Sequence, residues 1–197
     1  MESVKPGLPW EQAQTLKELS QVVAACRLCR LRDGCRQAVF GEGYPQADIM
    51  LIGEGPGQAE DEAGRPFVGK AGQLLDNILA AVGLQRSEVF IGNVVKCRPP
   101  GNRLPLPDEV KTCLPFLQAQ IRIINPQIVI CLGALASQTL IDPGLRITRD
   151  RGRWVIKDGL EIMPTFHPAA LLRDPRKKRP VWEDFKAVMK RYEQVRR

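Results

Sequence analysis

The amino-acid sequence predicts a three-layer α/β/α fold around a mostly parallel central sheet, on three observations. Short apolar runs bounded by glycine, "ADIMLIG" (47–53), "EVFIGNVV" (88–95) and "QIVICLG" (127–133), read as buried strands. Stretches with apolar residues at helical spacing lie between them, and strands alternating with helices argue for parallel pairing between helical layers. No internal repeat or long linker divides the 197 residues, so they are expected to form a single domain, 1–197.

The elements follow in chain order. "WEQAQTLKELSQVVAACRLC" carries Leu16, Leu19, Val22 and Val23 on one helical face and runs into Cys26. After the strand at 47–53 comes "EGPGQAEDEAGRPFVG", which reads as a long irregular loop. "KAGQLLDNILAAVGL" is an amphipathic helix through Leu74, Leu75, Ile78, Leu79 and Val82, with Gly83 as its C-terminal cap. The strand at 88–95 leads to a helix over 107–124, bent or begun near Pro115, and "ALASQTL" opens a helix after the strand at 127–133. "RWVIKDGLEIM" (153–163) places Lys-Asp-Gly between two short strands, a hairpin signal, and "VWEDFKAVMKRYEQV" closes the chain as a helix. In such sheets ligands bind beyond the carboxyl ends of the strands, which directs attention to the loops after Gly53, Val95 and Phe166.

Composition narrows the function. No apolar run approaches the ~18 residues of a membrane span, and "MESVKPGLPWEQ" lacks a signal-peptide pattern, so a cytoplasmic protein without membrane contact is expected. The net charge of +7, concentrated in "RDRGR" (149–153) and "RDPRKKRP" (173–180), favours a polyanionic partner such as nucleic acid. Two glycine patterns fail as nucleotide loops. "GEGPG" has Gln58 where a dinucleotide fingerprint needs its third glycine, and "GRPFVGKA" offers Ala71 where a P-loop needs Ser or Thr. Gly55 and Gly57 still allow backbone amides close to a flat ligand. Phe67, at the end of that loop, either lies on the ligand's face or fills the core.

Six cysteines in an intracellular chain point to metal ligands or buried apolar residues rather than disulfides. Cys26 and Cys29 form a Cys-x2-Cys clip, and Cys97 and Cys113 flank a fifteen-residue loop stiffened by four prolines. Four thiolates suit zinc or an iron–sulfur cluster, and spacing alone does not choose between them. Cys35 competes as a ligand, whereas Cys131 lies in an apolar strand and belongs to the core. The single histidine, in "TFHPAALLR", sits on a strand-to-helix corner, where it is either a cap or a catalytic group.

Three segments, "GEGPGQAEDEAGRPFVGKAGQLL", "NVVKCRPPGNRLPLPDE" and "FHPAALLR", resemble in order and spacing the hallmark segments of family 4 uracil-DNA glycosylases, the iron–sulfur type of that superfamily. The likeness runs from about Cys26 to Arg173. It implies a four-stranded parallel sheet and a [4Fe-4S] cluster on Cys26, Cys29, Cys97 and Cys113, in a subregion of about 20–35 and 97–113, with Cys35 left over. The covalent-trapping relatives carry a Lys-Arg-Arg-Ile-His insertion that is missing here, so the likeness is to the hydrolytic branch. Members with Asp or Asn after the first glutamate have an evident water-activating residue; this chain has Gly55.

By that resemblance the chain is a monofunctional hydrolase of base excision repair. It acts as a monomer on DNA containing uracil, single- or double-stranded, releasing free uracil and leaving an abasic site. Asn93 reads the flipped base, since a carboxamide offers the donor and acceptor that match uracil O4 and N3–H; strand-end capping is its alternative role. Phe67 stacks on the base, and amides around Glu54 and Gly55 contact it. His167 donates to O2 as negative charge develops there. Glu60, then Glu54, orients the water, or either braces the loop. Lys70, Arg98, Arg173 and the Arg176–Arg179 cluster meet phosphates, and the loop of Ala169, Ala170, Leu171 and Leu172 wedges the gap left by the base. Two other readings stay open: a superfamily glycosylase for another deaminated base, and a metal-containing DNA-binding protein without catalysis.

Overall fold

A computed structural model describes residues 8–195. The first seven residues, which begin the stretch without a signal-peptide pattern, and residues 196–197 lie outside the described ones. The chain opens with a short helix α1 (Pro9–Gln12), then α2 (Leu16–Ala25) and α3 (Leu31–Gly34). The expected single N-terminal helix is thus two, because Thr15 caps the second. Its Oγ1 accepts from the Glu18 N–H at 3.2 Å while Glu18 Oε2 accepts from the Thr15 N–H at 3.3 Å, a reciprocal capping box.

Strands β1 (Glu42–Gly43) and β2 (Ile49–Gly53) follow, then helices α4 (Gln58–Ala63) and α5 (Lys70–Ala81) and strand β3 (Phe90–Asn93). Next come α6 (Pro107–Ile124), β4 (Ile128–Leu132), α7 (Ala134–Leu140) and α8 (Ile147–Asp150). Hairpin strands β5 (Val155–Lys157) and β6 (Leu160–Thr165) lead to α9 (Pro168–Arg173) and α10 (Lys178–Val195). Among the described residues no helix is long and apolar enough to cross a membrane.

The sheet order is β1-β3-β2-β4-β6-β5. The four inner strands pair in parallel, as in Leu51 opposite Ile91 and Ile130, and Ile130 opposite Met163. The four-stranded sheet expected above is therefore the core of a six-stranded one, with an antiparallel strand at each edge. β1 escapes a sequence reading because it is two residues long and ends on a glycine at φ +133, where a Cβ would stand 1.9 Å from the Val89 carbonyl. The β5–β6 hairpin turns through Asp158 and Gly159, both at positive φ, as a two-residue turn requires.

Strand side chains alternate between two cores. Met50, Ile52, Phe90, Val129 and Ile162 pack against Leu19 and Val23 of α2 and Phe116 and Leu117 of α6. Ile49, Leu51, Ile91, Ile130 and Met163 pack against Leu75 and Leu79 of α5 and Phe185 and Val188 of α10. Burial on both faces is why the inner strands read as unbroken apolar runs.

Three local readings change. The loop after Gly53 contains α4, whose Glu60 reaches back to the Gly57 N–H at 3.1 Å and whose end is Gly64 at φ +70. α6 begins at Pro107 and runs unbroken through Pro115. The segment after His167 is the helix that the strand-to-helix corner implies, and this changes the wedge. Leu171, assigned above to a DNA-facing wedge, is 1 % exposed and packs in the α10-side core, while Leu172 is 48 % exposed. Helical geometry decides this, since neighbours on a helix point about 100° apart.

Candidate active site and thiol cavity

A cavity of ≈ 510 Å³ opens at the carboxyl ends of the inner strands. Glu54, Gly55, Pro56, Gly57 and Glu60 line it after β2, Asn93 ends β3, Gly133 and Ala134 follow β4, and Phe166 and His167 follow β6. Phe67, Ala169, Ala170 and Arg173 complete the wall together with Pro99, Asn102 and Arg103 from the cysteine loop and Ile147 from α8. Lys70 and Arg98 lie outside this lining; Arg98 Nε instead donates to Asn102 Oδ1 at 2.8 Å.

Asn93 is 2 % exposed, and its Oδ1 has no hydrogen-bond partner among the described residues. A buried carboxamide oxygen left open is unusual and points to a ligand or water. Gly53 makes room for it: a Cβ there would meet Asn93 Oδ1 at 2.5 Å and Phe67 Cζ at 2.6 Å. Phe67 is itself at φ +51, a region costly for a side chain of its size. Arg86 secures it, donating to the Phe67 carbonyl at 3.2 Å and to that of Pro66. The Phe67 ring lies against His167, with centroids 5.5 Å apart and planes 29° from parallel.

His167 ends the last inner strand's connection and caps α9, with Pro168 at the first helical position. Its Nδ1 accepts from the Ala169 N–H at 3.1 Å. That nitrogen therefore carries the lone pair, and the proton of a neutral ring sits on Nε2. Burial, then the positive charge of Arg173, pushes the imidazole down to about 4, against a smaller opposing pull from Glu60. The strand end before it is fastened by Thr165 Oγ1 donating to buried Asp184 at 2.6 Å, and Asp184 in turn pairs with Arg151. Capping and chemistry are thus compatible: one ring nitrogen caps and the other remains a donor.

The two carboxylates differ. Glu60 Oε1 accepts from the N–H groups of Val68 and Gly69, each at 2.9 Å, and Oε2 accepts from Gly57. Among the described residues the Glu54 carboxylate receives no hydrogen bond; burial raises its carboxyl above the usual range, partly offset by Arg173. The basic run is less free than its count suggests, since Asp174 binds Arg176 at 2.9 Å and Lys177 at 3.0 Å.

Cys26, Cys29, Cys97 and Cys113 line one second, small cavity with Arg32, Lys96 and Phe116. Among the described residues no three His, Cys, Asp or Glu side chains are arranged as ligands of a single ion. Burial pushes the Cys113 thiol up to about 11, and those of Cys29 and Cys97 upward as well. Cys35 stands outside the lining, bonded to Arg32 and beside Cys97. Cys131 is fully buried in β4. Lys96 is 1 % exposed, donates from Nζ to the Asn93 carbonyl at 2.8 Å and Gln120 Oε1 at 2.6 Å, and is pushed down to about 8 by burial.

The residues that sequence reasoning missed are those of the loop after Leu132, together with Ile147, Phe166, Asn102 and Arg103. The loop after Leu132 was open to discovery, because "CLGA" follows a buried strand and the same carboxyl-end rule applies.

Residues 40–186 match the family model described as the uracil DNA glycosylase superfamily. The chain is 43% identical over 183 residues to a type-4 uracil-DNA glycosylase of Sulfurisphaera tokodaii, covering 88% of this chain and 83% of that protein. It is 44% identical to that of Thermotoga maritima, covering 84% and 87%, and 38% identical to that of Archaeoglobus fulgidus, covering 89% and 92%. With this identity sustained across nearly the whole of each protein, the chain belongs to the type-4 uracil-DNA glycosylases of the uracil DNA glycosylase superfamily.

Proposed function

We propose that this protein hydrolyses the N-glycosidic bond of uracil in DNA, in base excision repair, acting in the cytoplasm as a single-domain monomer. The observation that carries the reading is the buried, unpartnered Oδ1 of Asn93 in one cavity with a His167 ring whose Nε2 is left to donate. A uracil turned out of the stack presents N3–H to Asn93 Oδ1 and O4 to its amide; cytosine would set donor against donor and acceptor against acceptor. The Phe67 ring offers an apolar face to the base. Its contact with His167 extends the expected stacking role, because the ring also holds the imidazole in place.

As the C1′–N1 bond lengthens, its electron pair moves onto uracil and charge collects on O2. The Nε2–H of His167 stabilises that charge and keeps its proton, a donor of the kind whose removal costs ~10²–10³-fold in rate. Water attacks C1′, and the proton it loses is taken up by the released uracil anion, so the products are an abasic site and neutral uracil. Glu60 orients the water: each carboxylate oxygen has two lone pairs, Oε1 spends both on Val68 and Gly69, and Oε2 retains one after Gly57. Glu54, raised by burial, is the less suited anion. Arg173 at the cavity wall meets phosphate, exposed Leu172 replaces Leu171 as the apolar group facing the gap, and Lys70 and Arg98 contribute at longer range.

A [4Fe-4S] cluster on Cys26, Cys29, Cys97 and Cys113 is supported by the four thiols lining one cavity. Among the described residues no carboxylate pairs with the buried Lys96 ammonium, and thiolates beside it would supply the missing counter-charge. When bound, the cluster supplies iron–thiolate bonds that tie residues 26–29 to 97–113. Uracil-containing oligonucleotide incubated with the protein and then cleaved at abasic sites with alkali tests the function. Strand cleavage is expected; intact strands with a cluster-loaded protein overturn it, and cleavage only at hypoxanthine or xanthine redirects it to another base.

A further inference from the structure

We propose that Lys96 is a positioning residue for uracil recognition, holding Asn93 in register with the thiol cavity; this rests on the function proposed above. Every polar group of Lys96 has a partner. The Lys96 N–H donates to Cys113 Sγ at 3.3 Å, and its carbonyl accepts from Val39 at 2.7 Å. Its Nζ reaches back to the Asn93 carbonyl at 2.8 Å and across to Gln120 Oε1 at 2.6 Å. Gln120 is itself fully buried in α6, and its amide donates to the Phe40 carbonyl at 2.8 Å.

Asn93 is the last residue of β3, opposite Gly53 of β2, and its carbonyl accepts from this ammonium. The next two residues, Val94 and Val95, donate to Gly53 and Glu54 at 2.9 and 3.1 Å and bind the same stretch to the other side of the cavity. The Asn93–Val94 peptide is thus held at both its polar atoms, and without the Lys96 bond the end of β3 that carries the base-reading carboxamide is held on one side alone. One residue thereby joins the thiol cavity, through its backbone and its neighbour Cys97, to the base-reading group.

A strut for general stability would weaken every function together; a positioning strut weakens base reading selectively. The full chain carrying Lys96→Met, Gln120→Leu or Gln120→Glu is compared with wild type for free-uracil affinity, affinity for abasic-site DNA, iron content and visible absorption. Lys96→Met is expected to lose about tenfold or more in uracil affinity, with abasic-DNA affinity and iron content retained. Gln120→Leu shows a smaller loss of the same kind, and Gln120→Glu, which keeps an acceptor for Nζ, lies nearer wild type. Unaltered uracil affinity, or uracil and abasic-DNA affinities falling together, overturns the inference; if Lys96→Met does not fold, Gln120→Leu decides on the same criteria. Wild-type protein that neither binds nor excises uracil overturns the function itself, whereas wild-type excision with unaltered uracil affinity in Lys96→Met overturns this inference alone.

Discussion

Acidification should expose the constraint on His167. Protonating the ring means placing a proton on Nδ1, which breaks the bond from the Ala169 N–H and puts a charge in an enclosed site beside Arg173. Burial and then Arg173 push the imidazole down to about 4, from an ordinary value near 6.5. A gap of roughly 2.5 units corresponds to about 3 kcal/mol. The sign follows from proton uptake: the unfolded chain binds this proton first as pH falls. The contribution is therefore complete above about pH 6.5 and lost progressively towards about pH 4.

Denaturant unfolding of wild type and His167→Gln at about pH 7.5 and about pH 4.5 measures it, because carboxylates that titrate in the same range cancel in the difference. The wild type should lose about 2–3 kcal/mol more than the variant between the two conditions. An equal loss in both proteins would show that His167 protonates like an exposed imidazole, and the neutral-donor argument would fail. In the same series, excision by wild type should show no inflection assignable to His167 between about pH 6 and 9, while His167→Ala loses roughly 10²–10³-fold in kcat.

Four further outcomes are expected. Asn93→Asp removes the amide donor and puts a charge where an unpartnered oxygen now lies, so uracil excision should fall by about 100-fold or more in single-turnover assays. Cys113→Ser should lose the visible absorption of an iron–sulfur protein and much of its thermal stability, whereas Cys35→Ser, altered outside the cavity lining, should keep both. DNA affinity should fall steeply with salt, and Arg173→Ala should reduce the slope of log affinity against log salt by about 1, measured by fluorescence anisotropy. Gly72→Ala bears on the fold: its Cβ would stand 1.8 Å from the Phe67 carbonyl oxygen, so α5 must shift off the loop that carries Phe67. A loss of about 1–3 kcal/mol in denaturant unfolding is expected.

Sequence by itself determined the inner architecture and the chemistry-bearing residue types. Three buried strands, their helical crossovers and the Asp-Gly hairpin that supplies the fourth inner strand were legible because burial on both faces and turn geometry leave local marks: unbroken apolar runs, helical spacing, residues tolerant of positive φ. The three segments likewise named Asn93, His167 and Cys97, while cysteine spacing and the wider resemblance added Cys26, Cys29 and Cys113. Tertiary structure alone decided what those residues can do. β1 is two residues held by one neighbour, so nothing local announces it. Leu171 and Leu172 are alike as letters, and only the seating of α9 on α5 sends one inward and the other to solvent. The proton on His167 follows from an N–H two residues on, the open oxygen of Asn93 from what fails to reach it, and the tie through Lys96 from an α6 side chain distant in sequence. Local sequence fixes conformational preference, whereas hydrogen-bond partners and desolvation are set by groups that meet only when the chain is folded.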